Sequence, residues 1–152
     1  MNKKLKFTSP MVAILLLALG FGLTLNAQDK VIPQEELPQG ATEFIQTHFA
    51  DQKVLQVTKD VDFLIKTEYE ILLSDGFQLE FDSKGNWKDV DGNNKVIPTG
   101  FVPESLMDYV ADNFPTEKVT GISKKSSGYE LELSNKLELE FDSNGAFKRI
   151  DD

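Results

Sequence analysis

The chain has no cysteine among its 152 residues and a single histidine, His48. The first absence excludes disulfide bracing, thiolate nucleophiles, sulfur-bound zinc and a lipid-modified cysteine at an export cleavage point. The second leaves any histidine-dependent triad or imidazole metal centre resting on His48 alone. No Gly-x-Ser-x-Gly elbow and no phosphate-cradling glycine loop occurs. Long hydrophobic runs are missing as well. Met11 to Leu25 falls short of the roughly 20 apolar residues that span a bilayer, and no second candidate span exists.

That short run has a different anatomy. Lys3, Lys4 and Lys6 precede it, Gly20 and Gly22 loosen its end, and Ala27 offers a small residue before Gln28. The pattern predicts a secretory signal peptide over residues 1–27. With it goes an exported protein, periplasmic or secreted, without membrane insertion after cleavage. Basic residues are scarce too. Lysine and arginine number 16 against 25 acids, a net of −9; the leader takes three of the lysines and no acid, which leaves −12. Such a charge repels nucleic acid and anionic lipid and favours a basic partner or a cation. The remaining stretch of about 125 residues is long enough for one domain, whose core must supply what disulfides do not.

What is present is a duplication. Lys30-Val31-Ile32-Pro33 recurs 65 residues later as Lys95-Val96-Ile97-Pro98, and Leu37-Pro38 as Val102-Pro103. Leu79-Glu80-Phe81-Asp82-Ser83 recurs as Leu139-Glu140-Phe141-Asp142-Ser143, with Gly85 and Gly145 just beyond. Two similar units can share one core that neither completes alone. The expected division is a first repeat over 28–92 and a second over 93–152, together one compact domain with Gly92-Asn93-Asn94 as linker.

Each unit reads as a helix followed by strands. Pro38 and Pro103 suit helix starts, where a missing N–H costs nothing. Ala41, Phe44, Ile45, His48 and Phe49 then share one helical face, as do Leu106, Tyr109, Val110 and Phe114, with Pro115 as a stop. After each helix the period switches to two: Tyr69, Ile71, Leu73 and Phe77, Leu79, Phe81 alternate with polar residues, and Tyr129, Leu131, Leu133 and Leu137, Leu139, Phe141 repeat the pattern. One polar and one apolar face mark an antiparallel sheet covered on one side. The predicted class is α+β: two tandem α-β-β-β(β) repeats forming one antiparallel sheet with both helices on its apolar face.

Parity sets the register. Residues paired across a hairpin share a face, so Leu73 opposes Phe77 around a Ser74-Asp75-Gly76 loop, with Gly76 left-handed. Ile71 then faces Leu79, and Tyr69 faces Phe81. Lys136 replaces that glycine in the second unit at a cost of about 1 kcal/mol, so a different turn geometry is expected there. Val90 and Ile150 break the alternation at the same place in both units, which predicts a bulge or strand end. Between Val57 and Tyr69 the first unit is five residues longer, predicting an extended hairpin over Asp60–Lys66 where Ser126-Ser127-Gly128 turns tightly in the second.

Leu37-Pro38, the Phe44-Ile45 and His48-Phe49 pairs, Tyr69-Glu70 and the Phe81-Asp82…Gly85…Trp87 turn together resemble the PepSY-like, beta-lactamase-inhibitor-like periplasmic proteins of Bacteroidetes. The similarity covers both halves of the mature chain. It rests on turn and core residues rather than on a catalytic signature. The resemblance implies two helix-plus-sheet repeats and no established activity for most members. The true beta-lactamase inhibitor protein is tied by disulfides that this chain lacks, and none of its contact residues carries over by a motif.

Candidate sites follow from these elements. His48 aligns with Asn113, and a boundary polar residue on a helix explains both better than a metal ligand, since zinc sites draw on several such groups. Asp82, Asp89, Asp91, Asn93 and Asn94 invite a calcium reading. A calcium-binding loop starting at Asp89 would need glycine at Asn94 and glutamate at Gly100, so turn chemistry is the better explanation. No catalytic residue, metal ligand or cofactor is expected.

The sheet's open face is the remaining candidate. Alternation points Glu70, Glu80, Glu130, Glu132, Glu138 and Glu140 away from the helices, with Glu70 opposite Glu80, Glu130 opposite Glu140 and Glu132 opposite Glu138. Like charges directly opposed destabilise a sheet by a few tenths of a kcal/mol or more. Lys66, Lys88, Lys124, Lys125 and Lys148 on flanking strands are expected to neutralise them, and the ordinary reading is a solvated face. Leu72 interrupts the polar set as an anchor for a contact. The expected function is an exported, non-catalytic binding module for a protein or peptide partner, with a small-ligand or divalent-cation-binding protein as the alternative. Partner identity and oligomeric state are not legible.

Overall fold

The first repeat's helix begins where Pro38 ends an extended segment. Pro38 cannot donate, but its carbonyl accepts from the N–H groups of Ala41 and Thr42 at 3.0 and 3.2 Å, starting α1 (Gln39–His48). Pro103 starts α2 (Glu104–Asn113) in the same way. Each proline thus stands one position ahead of the helix rather than within its first turn. The computed structural model describes residues 30–62 and 66–151. The predicted signal peptide and the tip of the longer hairpin, 63–65, lie outside the described residues.

A short strand β1 (Lys30–Val31) and a single 3-10 turn (Gln34–Glu36) precede α1. Then come β2 (Val54–Asp62), β3 (Lys66–Leu73), β4 (Gln78–Asp82) and β5 (Trp87–Asp91). After α2 the pattern repeats as β6 (Val119–Lys125), β7 (Gly128–Leu133), β8 (Glu138–Phe141) and β9 (Phe147–Asp151). All nine strands form one sheet in chain order, each antiparallel to the next. Both helices lie on the same face. Phe44 of α1 meets Phe81 edge-on at 5.4 Å, and Tyr109 of α2 meets Phe141 at 5.5 Å. Between helices and sheet, Ala41, Ile45, Leu106 and Val110 are buried with Ile71, Leu79, Phe81, Leu131, Leu139 and Phe141 in one continuous core.

The register follows the parity argument: Tyr69 pairs with Phe81, Ile71 with Leu79, and the Leu73 N–H donates to the Phe77 carbonyl at 2.9 Å. The expected irregularity is a bulge between Glu80 and Phe81 on β4 against β5, repeated between Glu140 and Phe141 on β8 against β9. In each case an extra residue, Lys88 or Lys148, shifts the strand's parity.

Two expectations are corrected. Lys136 does not change its turn: it takes φ +72°, against +85° for Gly76, and its N–H donates to Leu133 as Gly76's does to Leu73, at 2.8 and 2.9 Å. The turn hydrogen bonds and the Leu133–Leu137 closure outweigh the left-handed cost at that residue. The extra strand β1 was also not anticipated, and its repeat-2 counterpart Lys95-Val96 forms no strand. Val31 pairs with Thr58 of β2, whereas the corresponding Ser123 of β6 already pairs with Asp89 of β5. The edge that β1 covers in the first repeat is occupied by the neighbouring repeat in the second.

The turns tie each helix to its sheet. Gly85 (φ +82°) packs on the first turn of α1, where a Cβ would lie 2.7 Å from the Ala41 nitrogen. Asp82 holds that turn by accepting from the N–H groups of Lys84 and Asn86 at 2.8 and 2.9 Å, and Asp142 does the same for Asn144 and Ala146. The turn reading of Asp82 therefore stands.

Candidate functional site

The open face carries two rows of cross-strand neighbours that run the width of the sheet. One row passes from Thr58 through Glu70, Glu80 and Asp89 to Ser123, Glu130, Glu140 and Arg149. The next passes from Gln56 through Leu72, Gln78 and Asp91 to Gly121, Glu132, Glu138 and Asp151. The pairs Glu70–Glu80, Glu130–Glu140 and Glu132–Glu138 are directly opposed as the register implies. The two acidic groups are not contiguous with each other. β5 and β6 lie between Glu80 and Glu130, about 14 Å at ordinary strand spacing.

Asp89 and Asp91, expected to serve turn chemistry, fill that gap. Their signal was the broken alternation: once Lys88 is the bulged residue, parity places both aspartates on the open face. Asp91 does retain a turn role, accepting from the Asn93 N–H at 2.7 Å. Asp89 is largely buried and accepts a hydrogen bond from the Ser123 hydroxyl. Burial, reinforced by Glu80, Asp91 and Glu130, pushes its carboxyl up to about 6, against the pull of the Ser123 bond. Glu138 is also raised, by burial first and then by Glu130 and Glu132.

Cations offset part of this charge. Lys88 bonds Glu68 and reaches Glu80 at 3.0 Å, Lys125 pairs with Glu130, and Lys148 lies 3.9 Å from Glu140. Two partners were not foreseen. Lys136 sits 3.4 Å from Glu132, and Arg149 bonds Glu140 at 2.6 Å, which holds the Glu140 carboxyl below its ordinary range. Lys124 does not neutralise the face as expected: it lies on the other side, 5.9 Å from the Trp87 ring centroid. The side chain of Lys66 falls outside the described residues.

Leu72 is half-buried between Gln56 and Gln78. Beside it, Gln78 Oε1 is buried without a hydrogen bond among the described residues. An unsatisfied buried acceptor costs about 1–3 kcal/mol. His48 packs between Phe44 and Phe101, with ring centroids at 4.7 and 5.1 Å. Among the described residues no group of three or more His, Asp or Glu is arranged to hold a metal ion. A cleft of about 590 Å³ opens beside β5 and β6, lined by Glu68, Trp87, Lys88, Lys124 and Lys125 among others.

An α+β meander of two like units, with one face covered by helices and the other open and acidic, defines a tandem-repeat class. Within that class the chain belongs to the family described as putative beta-lactamase-inhibitor-like, PepSY-like, whose model matches residues 23–79 and 67–149. No curated protein matches the sequence. Three solved structures from Bacteroides are similar, each over 82% of this chain with a TM-score of 0.78. One, from Bacteroides thetaiotaomicron, is named a putative calcium-regulated periplasmic protein; it is 39% identical and covered over 97% of its length. A second, from Bacteroides vulgatus, is a putative periplasmic protein of unknown function, 38% identical and covered over 99%. A third, also from Bacteroides vulgatus, is a putative periplasmic protein, 37% identical and covered over 98%. No helix among the described residues is long and apolar enough to cross a membrane.

Proposed function

We propose that the protein is an exported, non-catalytic binding module whose open sheet face receives a protein or peptide bearing basic groups. The observation that carries this reading is the pair of acidic rows across a partly desolvated sheet. Opposed carboxylates such as Glu132 and Glu138 cost stability, and cations on an incoming partner would recover it. Half-buried Leu72 offers an apolar anchor on the same surface. The periplasmic relatives and the leader-like residues 1–27 support export. The family's inhibitor-like description points to inhibition or regulation of an extracytoplasmic enzyme as the use of such a face.

The test is capture from periplasmic extract with the wild-type protein and with a Glu132→Lys, Glu138→Lys variant. Partners held by the acidic face are expected to be lost on charge reversal and to wash off as salt screens the contact. If every captured partner survives the reversal, the acidic-face reading is wrong.

One observation favours a second reading, divalent-cation binding: a relative 39% identical is named as calcium-regulated. Calorimetric titration with calcium separates the two, because indifference at millimolar calcium removes the cation reading.

A further inference from the structure

The molecule shows what its own strand edges accept. On the outer side of β5, Val90 pairs with Ile122 of β6, flanked by Asp89 opposite Ser123 and Asp91 opposite Gly121. The Gly92 N–H donates to the Thr120 carbonyl at 2.8 Å, which by strand alternation turns the backbone groups of Val90 toward β6. The two acids of β5 are met by a hydroxyl and by a residue with no side chain. A neighbour with carboxylates there would not fit.

β9 is the same strand in the second repeat. Arg149, Ile150 and Asp151 pair with Glu140, Leu139 and Glu138 as Asp89, Val90 and Asp91 pair with Glu80, Leu79 and Gln78. The backbone N–H and C=O of Ile150 therefore face outward, and among the described residues no strand pairs with that side. Ile150 itself is 42% exposed, one of few large apolar side chains left so. Edge strands with these properties are templates for pairing.

The chemistry of the edge selects the occupant. Where β5 presents acid-apolar-acid, β9 presents Arg149-Ile150-Asp151. An antiparallel strand that fits it needs an acid opposite Arg149, an apolar residue opposite Ile150 and a base opposite Asp151. Read in its own direction that strand is base-apolar-acid, which is β9 itself. We infer that two copies of this chain pair through β9, antiparallel and two-fold symmetric about Ile150, joining two nine-stranded sheets into one. Ile150 meets Ile150 of the second copy, and Arg149 and Asp151 exchange partners across the axis. The Arg149–Asp151 contact at 3.0 Å within one chain already places the two charges on the same face, so each pairs across the axis without changing face. The contact is isologous, so it closes at two copies, and the acidic faces become one surface. The inference does not depend on what that surface binds.

The test is sedimentation equilibrium from low micromolar to about 1 mM, the weak end of specific association. The wild-type mass is expected to climb from one chain toward two and stop there. Arg149→Asp and Asp151→Arg each set like charges opposite across the axis and are expected to stay monomeric. The double exchange, Arg149→Asp with Asp151→Arg, restores complementarity and with it the dimer. Ile150→Pro removes only an outward N–H, which an edge strand tolerates, and is expected to be folded and monomeric. A wild type that remains one chain at every concentration overturns the inference. So does a mass that grows beyond two chains, a dimer that survives Ile150→Pro, or a folded double exchange that stays monomeric.

Discussion

The two repeats share a helix, a four-stranded meander and even the position of a bulge, yet they differ at their outer edges and where they meet. The first repeat covers its β2 edge with β1, through Val31 against Thr58. The second has its β6 edge covered by the first repeat's β5. At the junction, among the described residues, three strand pairs join the halves of the sheet, Asp89–Ser123, Val90–Ile122 and Asp91–Gly121, continued by the Gly92 N–H donating to the Thr120 carbonyl. On the helix side, Phe101 reinforces this narrow seam by touching Phe44, His48 and Trp87 at 4.8, 5.1 and 5.3 Å. Its counterpart in the first repeat is Glu36, exposed in the 3-10 turn. Duplication supplies two like halves of one core; the residues that differ between the copies hold them together or face outward.

If the seam depends on that wedge, Phe101→Ala carries the largest expected effect. Removing a half-buried ring with three aromatic neighbours costs about 2–3 kcal/mol. Chemical denaturation should then show the halves separating, with a broadened or biphasic transition instead of a single one. A loss below 0.5 kcal/mol, roughly a surface substitution, would mean that the strand pairs alone join the repeats.

The seam should also respond to pH through Asp89. Its carboxyl is raised to about 6 in the folded state by burial and by Glu80, Asp91 and Glu130, above the unfolded value near 3.9. The folded protein thus holds a proton that the unfolded chain releases between roughly pH 4 and 6. Across that window stability falls as pH rises, and above it the penalty is constant. Asp89→Asn keeps a partner for Ser123 without the charge. At pH 7 it is expected to stabilise the fold by about 2 kcal/mol, with the gain vanishing near pH 4. Denaturation midpoints of the two proteins compared from pH 4 to 8 measure this, and parallel curves would show that Asp89 carries no such penalty.

The smallest effect compares the two left-handed turn residues. A Cβ at Gly76 would meet nothing closer than Asn93 Nδ2 at 3.8 Å, so Gly76→Lys should cost only the backbone term, about 1 kcal/mol. Lys136→Gly should recover up to about 1 kcal/mol, less the small contribution of the exposed Lys136–Glu132 pair. Thermal melting of both variants checks the opposite signs.

Much of the fold was legible because it rests on local rules repeated twice. Helix faces, hairpin register and the bulge all follow from periodicity and parity, and two copies of each signal reinforced one another. The opposed glutamates were legible for the same reason. Less visible were contacts between units. Phe101 falls on neither the helical face nor the strand alternation, so its contacts with Phe44, His48 and Trp87 have no periodic signal. Asp89 and Asp91 looked like turn residues until the bulge moved them onto the open face. Lys124 pairs with Tyr129 on the helix side of its strand, a placement that charge composition alone does not reveal.

By itself the sequence determined both helices and the hairpin strands that follow them, the faces they bury and the pairing within each hairpin. These depend on neighbours a few residues apart. Tertiary structure alone decided which strand edge meets which, how Asp89 comes to be buried between Glu80 and Glu130, and why Val31 forms a strand while Val96 does not. Those outcomes depend on which edge is already occupied when the two repeats pack. The same four residues, Lys-Val-Ile-Pro, therefore lie in different surroundings at their two positions.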